Sequence, residues 1–162
     1  MKKTPTRLTG TPDDTTELVA HLARLAAANR GWVNVHPEVE EDHEPSARNG
    51  MFAWMGSRSP KVALATWTAP EVRRGAVEPA SIGVRNPGNT RVLPQLRDAG
   101  LDGPPGWRIV QDSVGRGLVL TVPADESPEV VVDWLLRATM ALTPLSVTGT
   151  WVADIHEGSD PR

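Results

Sequence analysis

Apolar residues return at helical spacing near both ends of the chain and at strand spacing between. In TPDDTTELVAHLARLAAANRG, Leu18, Leu22, Leu25 and Asn29 share one face that Ala26 widens. Such a stripe predicts an amphipathic helix packed inward on one side. Thr11 can cap it with Pro12 at the first position, or it can start near Thr15; Gly31 supplies a stop after Arg30. A second stripe, Val131, Leu135, Ala138 and Leu142, is widened by Val130 and Trp134. Ser127 as cap, Pro128 in the first turn and Glu129 at the positive helix end give that helix a regular start, and Pro144 stops it.

Period-two patterns mark strands. WVNV at 32–35, MFAWM at 51–55 and VALATWT at 62–68 read as extended, with GSRSP as a turn between the last two. Both faces of VALATWT are covered enough to suggest an interior strand. GWRIVQDSVGRGLVLTVP is a hairpin pattern: Trp107, Ile109 and Gln111 alternate with Arg108, Val110 and Asp112 before the turn SVGRG and the run LVLTV. Glycines 115 and 117 can supply the positive φ that a tight connection needs. A shorter helix fits NTRVLPQLRDAG, capped by Asn89 or Thr90 and ended by Gly100, with Pro94 either near the first turn or kinking the segment. A last strand is expected in SVTGTWVADIH. Glycine and tryptophan recur after each helical stretch, at GW31–32, GW106–107 and GTW149–151, as though one sheet repeatedly receives chain from helices laid across it.

These elements predict a single α+β domain over 11–157. Its sheet is antiparallel or mixed, with two or three helices packed mainly on one face. A flexible N-terminus (1–10), an acidic loop (36–45), a Pro/Arg-rich loop (69–91, with a short extended piece at SIGV) and a polar tail (158–162) complete it. At 162 residues a chain can bury roughly two-thirds of its unfolded surface, so a core needs no disulfide or metal staple.

Composition changes the picture in three ways. Cysteine is absent, which removes disulfides, thiolate nucleophiles and zinc–cysteine sites, and fits a reducing compartment. The basic N-terminus has no apolar run behind it, and no segment has the length and apolarity of a membrane span, so a soluble cytoplasmic protein is expected. Arginine outnumbers lysine 14 to 3, a bias associated with GC-rich bacterial coding.

The net charge of −3 conceals a gradient. Residues 48–108 carry nine basic and four acidic side chains, whereas the segments before and after carry five against eight and three against eight. Overall acidity, without a basic-aromatic module, disfavours nucleic acid. The basic middle points instead to an anion. Arg85 and Arg91 flank the expected start of the short helix; Arg73, Arg74 and Arg97 can enlarge the patch, and Arg116 sits at the hairpin turn. Guanidinium groups suit phosphate or carboxylate through their planar fork of donors.

Catalytic chemistry finds less support. HPEVEEDHEP places His36 and His43 among five carboxylates, a weak metal candidate whose spacing matches neither an i,i+4 helical pair nor a calcium loop; an acidic contact surface or solvated loop is the simpler reading. His21 lies on a helix flank, and His156 can join Asp154 or Glu157 in a polar cluster. Neither GxSxG nor a phosphate-binding glycine motif occurs, and nothing calls for a cofactor. The function expected is a non-enzymatic interaction or accessory module with a protein partner or self-association. The alternative is a protein, with or without catalysis, that holds a phosphate- or carboxylate-bearing small molecule near the arginine-rich middle.

Overall fold

The computed structural model describes residues 4–40, 62–88, 90–144 and 147–158. The strand expected at MFAWM, the turn after it and His43 lie outside the described residues. Among the described residues, nine strands and three helices run in chain order. They are β1 (Thr6–Gly10), α1 (Thr16–Ala28), β2 (Trp32–Val39), β3 (Leu64–Thr68), β4 (Glu71–Arg73), β5 (Ala76–Glu78), β6 (Ser81–Arg85), α2 (Val92–Asp98), β7 (Arg108–Ser113), β8 (Gly117–Thr121), α3 (Pro128–Leu142) and β9 (Val147–His156).

Seven strands form one sheet in the order β1-β9-β2-β3-β6-β8-β7, and β4 with β5 makes a separate hairpin. Each adjacent pair among the described strands is antiparallel. The α+β expectation holds. The helices pack on one face, α3 against β2 and β3, α1 and α2 beside α3. Val33, Val35, Ala65, Trp67, Ile82, Val84, Leu118, Leu120, Trp151, Ala153 and Ile155 point from the sheet into that layer and are buried. They meet Leu18, Leu22 and Leu25 of α1 and the stripe Val131, Trp134, Leu135, Ala138 and Leu142 of α3 in one core.

Several boundaries differ from the sequence reading. The N-terminus is not all loose: Thr6–Gly10 forms edge strand β1 on β9, because strand pairing there needs little apolar pattern. The acidic stretch begins inside β2, where Pro37 and Val39 are buried and Glu38 is exposed, so 36–39 is strand rather than loop. The Pro/Arg-rich segment 69–91 holds β4, β5 and β6. Helix α1 starts at Thr16 after Thr15, the later of the two starts weighed, and Asn29 rather than Gly31 turns the chain with a left-handed φ of 54°. Helix α2 follows Arg91, not Asn89 or Thr90, with Pro94 in its first turn as expected. Strand β3 is interior between β2 and β6, but Leu64, Thr66 and Thr68 on its outer side are only half-covered.

Ser127 caps α3 as the sequence indicates, its hydroxyl accepting from the Val130 N–H at 3.3 Å. Tryptophans act mainly as wedges with a polar handle. Trp134 Nε1 donates to the Leu101 carbonyl at 3.1 Å and Trp151 Nε1 to the Thr11 carbonyl at 2.8 Å. Gly10 exists because of the second: a Cβ there would lie 2.7 Å from the Trp151 ring.

Candidate functional site

Side chains alternate across a strand, so the residues between the core positions form the other face of the seven-stranded sheet. No helix among the described residues packs on it. Cross-strand register sorts the outward residues that run across the sheet into three rows, each about 6.7 Å from the next.

The middle row is internally satisfied. Arg7 on β1 faces Asp154 on β9, which faces Asn34 on β2, then Thr66 on β3, Gly83 on β6 and Val119 on β8. Arg7 donates to both Asp154 oxygens, at 2.8 and 3.1 Å, and the Thr66 hydroxyl donates to Asn34 Oδ1 at 2.7 Å. The hydrogen bonds from Arg7 hold the Asp154 carboxyl below the usual carboxylate range; partial burial opposes them, while the charge of Arg7 and the nearby His36 and His156 add to them. The same pairing raises Arg7.

Beyond that row, at the Leu64–Arg85 end of the sheet, the face deepens into a cavity of about 1220 Å³. His36, Leu64 and Val152 lie across its base and Val39 and Val62 beside them. Arg7, Thr9 and Thr150 close it on the β1–β9 side. Opposite stand Arg85, the loop Asn86–Pro87–Gly88 with Thr90, and Val114, Gly115 and Gly117 of the β7–β8 turn. Side-chain bonds organise that loop: Asn86 Nδ2 and Gln95 Nε2 both donate to the Thr90 hydroxyl, at 3.0 and 2.6 Å, while Asn86 Oδ1 accepts from the Gly88 N–H at 3.0 Å.

The charged groups of this cavity differ in their commitments. Arg7 is held by Asp154, and Glu38 accepts from the Thr148 hydroxyl at 3.4 Å. His36 Nδ1 lies 3.0 Å from the Pro37 carbonyl, which assigns the proton to that nitrogen and leaves Nε2 as an acceptor in the neutral ring. Arg85 is exposed and has no ion-pair or hydrogen-bond partner among the described residues. Among the described residues that line the cavity, it is the cation left uncommitted.

Of the arginines singled out in the sequence, Arg85 alone lines the cavity. Arg91 and Arg116 do not line it, although each is flanked in sequence by residues that do. Arg97 is exposed in the last turn of α2. Arg73 and Arg74 belong to the β4–β5 hairpin, which enters β6 at Ser81, the end away from the cavity. Arg73 pairs there with Glu71 at 3.0 Å and Glu78 at 3.8 Å. The six arginines therefore do not form one patch. His36 lies at the cavity, but among the described residues no three His, Asp or Glu side chains approach closely enough to hold a metal ion.

Arg7, Thr9, Thr150 and Val152 were not legible as site residues. Their place depends on β1 and β9 closing side by side from the two ends of the chain, and neither strand carries a local motif. At the far end of the face, Trp32 stacks on His156 with ring centres 4.7 Å apart and 8° between planes, and keeps 38% of its surface exposed. On the helix side, His21 Nδ1 takes a 2.9 Å contact from Arg24, which also pairs with Glu157, so the histidine is tied into a surface network.

No helix among the described residues is long and apolar enough to cross a membrane. In comparison with known proteins, no family model matches the chain, and no curated protein and no solved structure matches it either.

Proposed function

We propose that the protein is a non-enzymatic binding module that holds a small carboxylate- or phosphate-bearing ligand with an apolar body in the cavity at the Arg85 end of its open sheet face. The observation that carries this reading is the uncommitted Arg85 guanidinium on the wall of a cavity whose base is Leu64 and Val152. A single planar fork suits a carboxylate, which it can meet with two parallel bonds. The cavity exceeds the roughly 300–1000 Å³ of most small-ligand pockets, so an elongated ligand fits it better than a compact one.

Octanoate is a suitable probe. Calorimetric titration is expected to give saturable binding that weakens at least tenfold in Arg85→Gln, since losing a charge-assisted bidentate contact costs about 1.5–3 kcal/mol. Equal affinity of the two proteins would contradict the assignment.

A protein partner is the second reading, favoured by the β4–β5 hairpin. Its cross-strand pair Val72 and Val77 is 55% and 62% exposed. Two-stranded hairpins are marginal in water unless something packs on them. Sedimentation and capture experiments with Val72→Asp test this reading: unchanged association would set it aside. The cytoplasm of a bacterial cell is the proposed compartment, motivated by the cysteine-free, arginine-rich composition and tested by fractionation.

A further inference from the structure

The third row of the open face runs the width of the sheet at the end away from the cavity. Trp32 on β2 stands between His156 on β9 and Thr68 on β3; Thr68 faces Ser81 on β6, Ser81 faces Thr121 on β8, and Thr121 faces Arg108 on β7. The imidazole of His156 covers one face of the indole, so the exposure that remains belongs to its other face and rim. Thr68, Ser81 and Thr121 are each half-exposed, and none has a side-chain hydrogen bond among the described residues. Arg108 is exposed and likewise uncommitted. The adjacent row behaves oppositely, pairing Thr66 with Asn34 and Arg7 with Asp154.

We propose that this row is a carbohydrate-binding strip for a short acidic oligosaccharide, with a sugar ring on Trp32 and a uronate carboxylate at Arg108. Each feature meets a feature of that ligand. An aromatic face accepts the apolar C–H side of a pyranose. Hydroxyls on successive strands, about 4.8 Å apart, can both donate and accept, as sugar hydroxyls require. Four strand steps separate Trp32 from Arg108, about 19 Å, a span that calls for several linked rings rather than a monosaccharide. Arg108 supplies the positive charge that a neutral glycan would not need. The strip shares no residue with the cavity and does not depend on the ligand proposed for it.

Trigalacturonic acid and its methyl ester are the probes, titrated calorimetrically and by tryptophan emission against the intact protein. The acid is expected to bind saturably and to lose at least fivefold in affinity in Arg108→Gln. The neutral ester is expected to bind more weakly and to be indifferent to that change. Ser81→Ala combined with Thr121→Ala is expected to weaken both ligands at least threefold, and Trp32→Ala to abolish both. Arg85→Gln should leave both unchanged, which separates this strip from the cavity. Absence of saturable binding by native protein, or full retention of trigalacturonate affinity by either Arg108→Gln or the hydroxyl double variant, would overturn the proposal. The hydroxyl variants remove no side-chain hydrogen bond found among the described residues, so they keep the test decisive if Trp32→Ala does not fold.

Discussion

Thr143, just past the end of α3, shows how one side chain joins two layers. Its hydroxyl donates to the Thr139 carbonyl at 2.8 Å and accepts from the Ala63 N–H at 3.0 Å, tying the last turn of the helix to the approach of β3. Thr143→Val keeps the shape but leaves the buried N–H without a partner. A loss of about 1–3 kcal/mol is expected in equilibrium denaturation, and no change would mean that water reaches this junction. Gly117 is fixed by a different constraint. It has a φ of 80°, and a Cβ would run into the Val84 carbonyl of the neighbouring strand. Gly117→Ala is expected to cost about 1–3 kcal/mol from backbone strain before the clash is counted, whereas Gly115→Ala meets open space. Comparing the two variants by thermal unfolding separates the glycine that the fold needs from the one that the turn only tolerates. The SVGRG pattern indicated a glycine-dependent turn, but the close approach of β6 to Gly117 is tertiary and could not be read from it.

At the scale of elements, the outer strand β7 is guarded against the addition of another strand. Strand β7 carries a register irregularity between Ile109 and Gln111, and its Asp112 directs Oδ1 into a buried position without a partner among the described residues. A bulge and an inward carboxylate both discourage another strand from adding to an edge. Asp112→Val should raise unfolding stability by about 1 kcal/mol by removing the unsatisfied oxygen. The same variant should sediment as larger species at high concentration, and a monomer throughout would show that the bulge alone protects the edge. Elements with strong local grammar were readable in advance: α3 from Ser127 and Pro128, the β7–β8 hairpin from its alternation and glycines. Strands β1, β4 and β5 were not, because each is short and exposed and owes its state to a cross-strand neighbour rather than to an apolar pattern.

For the whole molecule, charge separates sequence from structure most clearly. The basic middle segment is real in the sequence, yet topology distributes it: Arg73 is neutralised within its hairpin, Arg85 goes to the cavity and Arg108 to the opposite end of the sheet. Arg85 was legible as an anion candidate, while its apolar surroundings from β3 and β9 were not. The ion pair of Arg7 with Asp154 links the first strand to the last and gives stability a pH dependence. Because the Asp154 carboxyl is held low in the folded state, its contribution is complete above the unfolded pKa of about 3.9. That contribution disappears as pH falls through the folded value. Solvent reaches Arg7 freely, so the effect is modest and weakens with salt. Asp154→Asn should flatten the acid limb of a stability–pH profile, and an unchanged profile would show that other carboxylates govern it.

The open sheet face as a binding surface is the central claim, and a backbone amide titration of isotope-labelled protein with octanoate tests it most directly. Shifts concentrated at Glu38, Leu64, Arg85–Thr90 and Val114–Gly117, with the amides of α1 and α3 unmoved, are the result expected. Shifts confined to the helical layer, or none at saturating probe, would contradict it.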